Sequence, residues 1–158
     1  MHTTYQMLAS RTMPSTSIDM LPNWALGLCG EAAEYLQEAD EANSVLELGD
    51  NAWYCHAILT ALRVDADMLM AADQRPTDTP SALLLVSCAG RVAELVKKHI
   101  YHFKPLRTKE ILVLVRTMLQ TIEDLAAQRH NTTMTEVYRR NICKLQERWP
   151  EGFAPEIP

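Results

Sequence analysis

Two pairs of acids stand three residues apart, Glu31 with Glu34 and Glu47 with Asp50, and twelve residues separate the pairs. On a helix, side chains at i and i+3 share a face. The gap fits the end of one helix, a turn and the start of the next, so two antiparallel helices would bring all four carboxylates together. At about 100° per residue, Glu47, Asp50, Tyr54, Ile58 and Ala61 fall on one stripe, so the acids continue an apolar surface. On the preceding helix, Glu31, Glu34 and Glu38 flank the stripe bearing Leu28 and Tyr35. Acids crowded at the edge of a core repel one another and lose hydration, and a divalent cation removes both conflicts. Hard oxygen donors favour Mg²⁺, with Mn²⁺ as a substitute. A pair of such ions about 3.5–4 Å apart activates a water and stabilises the leaving oxygen of an in-line displacement, chemistry suited to a triphosphate. The competing reading is a set of ordinary solvated helix acids. A di-iron bundle would need Glu-x-x-His pairs, and none of the five histidines has Glu three residues before it.

Other polar groups frame this constellation. Asn141, Lys144 and Arg148 form one stripe with Met134 and Val137. Beside an apolar surface, an ammonium and a guanidinium fork can aim at phosphates; the alternative is a solvated helix edge, with Arg148 favoured near the C-terminus by the helix dipole. Glu38, one turn beyond Glu34, is a candidate to support the cation or orient the attacking water, against the alternative of an exposed acid. One of the four ligands could equally act as general base. Asn23, Trp24 and Tyr54 are candidates for the base of a nucleotide, and core packing competes for each aromatic.

The elements that must position these groups are helical. The chain has 158 residues, only 5 glycines and long stretches of Ala, Leu, Glu and Met, and no run alternates β-branched with polar residues. Six helices are expected, over about Tyr5 to Ser10, Pro22 to Ala42, Asn43 or Ser44 (as cap) to Ala72, Pro80 (capped by Thr79) to Tyr101, Thr108 to Arg129, and Thr133, with Glu136 as a capping box, to just before Pro150. Residues 73–80 read as a linker inside a single domain spanning 1–158, with the acids in the half before it. Gly30-Glu31-Ala32-Ala33-Glu34 resembles Gly90-Arg91-Val92-Ala93-Glu94 sixty residues on, the mark of two degenerate helical hairpins of which the second, about 80–153, has lost its acidic pair.

A net charge of −5 argues against a nucleic-acid binder, and no apolar stretch is long enough to span a bilayer. The N-terminal segment lacks the pattern of a secretory signal. The four cysteines are single, which reads as buried free thiols in a reducing compartment and not as zinc ligands. The expectation is a cytoplasmic protein.

Gly27-Leu28-Cys29-Gly30-Glu31-Ala32-Ala33-Glu34, then Glu47-Leu48-Gly49-Asp50-Asn51-Ala52-Trp53-Tyr54, then the block from Asn141 to Phe153 resemble the MazG-like, all-helical nucleoside triphosphate pyrophosphohydrolases, particularly their short phage and bacterial members. Tyr5-Gln6 with Arg11-Thr12 is a weaker fourth block. The resemblance implies that Glu31, Glu34, Glu47 and Asp50 hold Mg²⁺, that Asn141, Lys144 and Arg148 contact the triphosphate, and that cleavage between the α and β phosphates yields a monophosphate and pyrophosphate. It also implies a homodimer or homotetramer. The chain departs from the pattern at Lys97-Lys98-His99-Ile100-Tyr101-His102, which resembles a segment that many phage-type members place between the acidic motifs. Here it follows both, so the first half is expected to hold metal and the second to supply scaffold and phosphate contacts, with the role of Lys97, Lys98 and His99 open.

Overall fold

The computed structural model describes residues 1–71 and 80–154, which form seven α-helices, one 3₁₀ turn and no strand. The helices are α1 (His2–Ser10), α2 (Leu21–Gln37), α3 (Glu41–Ala61), α4 (Ala66–Met70), α5 (Ala82–Tyr101), α6 (Thr108–His130) and α7 (Met134–Arg148), with the 3₁₀ turn Ile18–Met20 leading into α2. The expected linker and the expected cap Thr79 fall largely or wholly on residues 72–79, outside the described residues.

The fold is organised around α3. It packs against α1, α2, α6 and α7, while α5 closes the bundle against α2 and α6. Val45, Leu48, Ala52, Cys55, Ile58 and Leu59 are buried on it, and so are Asn51, Trp53 and His56 on its other faces. A helix enclosed on nearly all sides belongs at the centre of a bundle. One hydrophobic cluster unites Leu28 of α2, Leu48 and Ile58 of α3, Leu85 of α5, Met118 and Ile122 of α6 and Val137 of α7.

Several helix ends differ from expectation, each for a local reason. α2 stops at Gln37 instead of Ala42, because Glu38 turns extended (ψ 126°) and its Oε1 accepts the Asp40 N–H at 2.8 Å. Asp40, not Asn43 or Ser44, then caps α3, its Oδ1 accepting from Asn43 N at 2.9 Å. α3 ends at Ala61, about eleven residues early. Arg63 adopts φ 57°, and the Val64 and Arg63 N–H groups close back on Leu59 O and Thr60 O at 2.9 and 3.0 Å, the paired bonds of a Schellman termination. The remaining segment forms α4, capped by Asp65; Gln6 of α1 grips its entry, donating to Val64 O and accepting from Ala66 N at 2.9 and 3.1 Å. Ser81 caps α5, and α6 starts at Thr108 with Arg107 in the cap position and no side-chain bond there. Thr133 caps α7 by accepting from Glu136 N, but the Glu136 carboxylate pairs with Arg139 and Arg140 instead of reaching back, so only half of the expected capping box forms.

Candidate metal and phosphate site

α2 and α3 bring three of the four acids together. One carboxylate oxygen each from Glu31, Glu34 and Glu47 lie within 4.8 Å of one another. The register between the two helices is stapled by Asn51, which is fully buried and donates through Nδ2 to Glu31 O at 2.8 Å and to Glu47 O at 2.9 Å. The backbones beneath two of the acids are thus tied to one amide.

Asp50 sits beside this trio with partners of its own. Its Oδ2 forms an ion pair with the Lys144 ammonium, and its Oδ1 accepts from Asn141 Nδ2 at 2.9 Å. Both partners come from α7, which approaches α3 closely at Gly49: a Cβ there would lie 2.9 Å from Asn141 Cβ. Asn141 is itself fully buried, and its Oδ1 accepts from Tyr5 Oη at 2.7 Å.

The charges are poorly compensated. Burial, then the neighbouring Asp50, Glu34 and Glu47 carboxylates, push Glu31 up to about 7 against the opposing pull of Lys144. Glu47 is raised by burial and by Asp50 and Glu34. Asp50 is raised by burial, with Lys144 and Asn141 working the other way. Glu47 Oε2 is buried with no hydrogen-bond partner. An all-oxygen donor set, mutually repelling and carrying an orphaned buried oxygen, fits a hard divalent cation.

A pocket of about 270 Å³ opens beside the acids, lined by Glu31, Asp50, Trp53, Tyr54, Lys144, Arg148 and Trp149 along with Leu145. It thus joins acids, two cations and three aromatic rings. Arg148 lies over the Trp149 ring, 4.6 Å from its centre. Tyr54 reaches the pocket across Gly27, where a Cβ would come within 2.1 Å of the phenol ring.

The remaining candidates lie elsewhere. Trp24 is 2% exposed, edge-on to Trp53 at 5.4 Å, in the core beneath the pocket. Asn23 is exposed on the first turn of α2 and does not line the pocket. Glu38 is bound to Asp40 N–H in the α2–α3 turn. Lys97 and Lys98 pair with Glu94 on the exposed side of α5, and His99 Nδ1 faces Lys104 O at 2.8 Å; none of the three lines the acidic pocket. Conversely, Trp149, Asn51 and Tyr5 belong to the site or its support and were not singled out for it, and Trp53, which by its helical position should point elsewhere, lines the pocket. Trp149 carried a signal, directly following Arg148 in the C-terminal block; Tyr5 and Asn51 carried none beyond membership of a block. Among known proteins, no family model, curated protein or solved structure matches the chain.

Proposed function

We propose that this chain is a Mg²⁺-dependent nucleoside triphosphate pyrophosphohydrolase of the MazG-like kind that its motifs resemble. The observation that carries the reading is the convergence of Glu31, Glu34 and Glu47 within 4.8 Å, with Glu31 lining a pocket that also presents Lys144 and Arg148. Glu31, Glu34 and Glu47 would hold a divalent cation, which when bound would supply positive charge to the phosphates and make water a better nucleophile. Lys144 and Arg148 bind and orient the triphosphate, while Trp53, Tyr54 and Trp149 offer flat apolar walls to a base. Water oxygen bonds to the α-phosphorus as one of the acids takes its proton, the bond from that phosphorus to the oxygen bridging to the β-phosphate breaks with its electron pair going to pyrophosphate, and a monophosphate and pyrophosphate leave. The expected setting is the cytoplasm of a bacterial cell or phage-infected host, where such an enzyme would trim a nucleotide pool.

Pyrophosphate release, assayed with each canonical triphosphate and Mg²⁺ or Mn²⁺, tests this directly. Glu47→Gln and Asp50→Asn are each expected to reduce turnover by at least about a hundredfold, the scale of losing one preorganised electrostatic contact, with helical circular dichroism unchanged. Wild-type rates in both variants, or no release with any triphosphate, would overturn the proposal. One observation favours a second reading: Asp50 is held by Lys144 and Asn141, apart from the three glutamates. A protein that binds nucleotides, or a helical partner, without turnover would keep that arrangement. Thermal stabilisation by a triphosphate without any product would select it.

A further inference from the structure

α1 sends one hydroxyl toward the site from behind. Tyr5 is 3% exposed, and its ring stacks on Tyr138 with centres 3.9 Å apart and planes 10° from parallel. That stack fixes the phenol oxygen, which donates to Asn141 Oδ1 at 2.7 Å, with Gly49 O a longer 3.5 Å away. On its other side the Asn141 amide donates to Asp50 Oδ1. A side-chain amide carries its acceptor and its donors on opposite arms. Turned by half a revolution, Asn141 would press its oxygen against a carboxylate, two acceptors in contact, and take away the near acceptor of the Tyr5 proton. The missing side chain of Gly49 gives the amide its room, since a Cβ there would sit 3.2 Å from Asn141 Nδ2.

We propose that Tyr5 is a positioning residue for Asp50: its hydroxyl locks the Asn141 amide with Nδ2 toward the carboxylate, which leaves Oδ2 facing Lys144 and the pocket. Tyr5 does not line that pocket and acts only through Asn141. The inference rests on the reading of Asp50 as part of the cation site.

The test is a double-mutant cycle on the full chain, with two readouts. Tyr5→Phe removes the hydroxyl and keeps the ring that stacks on Tyr138, and melting curves verify that it is folded. In protein without metal, the Asn141 side-chain amide signals, identified by their loss in Asn141→Ala, are followed by ¹⁵N-correlated NMR. Mn²⁺ affinity is followed by calorimetry. Tyr5→Phe is expected to shift the Asn141 amide pair and to weaken Mn²⁺ binding about three- to tenfold, the scale of one hydrogen bond. In the Asn141→Ala background the same change is expected to have no further effect, because its route is gone. Unmoved amide signals, or losses that simply add, would overturn the proposal; a merely structural tyrosine gives additive losses. If the wild-type chain binds no Mn²⁺, the cation reading of Asp50 falls, and the amide signals alone then uphold or overturn the positioning.

Discussion

Glu31, Glu34 and Glu47 stand close enough to compete for charge, and the consequence is measurable without any substrate. The Glu31 carboxyl is held near 7 in the fold against an ordinary value of 4.5. Between those values the native side chain keeps its proton while the unfolded one has shed it. Its contribution to stability is therefore complete below about 4.5 and is lost as pH rises through about 7. Glu47 and Asp50 shift in the same direction. Buried His56 works oppositely: burial lowers it from 6.5 to about 4, so the stability it gives is present above 6.5 and lost as pH falls through 4. The comparison that isolates the acid is wild type against Glu31→Gln. In chelator, thermal melts from pH 5 to 8 are expected to show the variant gaining on wild type as pH rises, and a constant difference across that range would contradict the crowded arrangement. The acids were legible because a spacing of three on neighbouring helices is a local signal. Trp24 was less so: offered as a candidate for the base, it shares the buried stripe of Leu28, Ala32 and Tyr35, which decides for packing. Tyr5 was not, since its partner Asn141 lies 136 residues away.

At the scale of elements, the helical class followed from composition, while the ends depended on competitions that local propensity leaves open. Asp40, Asn43 and Ser44 are all good caps within five residues. The choice falls to Asp40 because Glu38 turns the chain and accepts its N–H. Asp40→Ala is accordingly expected to cost about 1 kcal/mol in chemical denaturation, and Asn43→Ala, which keeps the backbone donor, far less. Equal losses would show that the cap had been placed wrongly. The end of α3 was hidden for another reason. Left-handed terminations favour glycine or asparagine, and Asn131 ends α6 that way with φ 45°, but α3 uses Arg63. There the geometry is imposed from outside, by Gln6 holding Val64 and Ala66.

At the scale of the whole molecule, α2 and α5, which carry Gly30 and Gly90, pack on each other. Glu94, four residues after Gly90 as Glu34 is after Gly30, pairs with Lys97 and Lys98. Between α2 and α5 runs an apolar groove of about 360 Å³ that includes Leu26, Val96, Ile100 and Tyr101. Leu26 and Tyr101 are 69% and 73% exposed. If the dimer or tetramer that the family resemblance implies uses this face, Leu26→Glu should shift sedimentation toward monomer at micromolar concentration while leaving the melt intact. A wild-type chain that sediments as a monomer would overturn the oligomer that the resemblance implies. The order of the helices has one more consequence. The three glutamates lie on consecutive helices, whereas the ammonium that balances Asp50 follows it by 94 residues, on the last helix. During synthesis or refolding the negative charges can gather before their counter-charge is in reach. Salt screens such repulsion, so stopped-flow refolding is expected to accelerate at moderate ionic strength. Identical rates at low and moderate salt would mean that the final helix docks before the acids are drawn together.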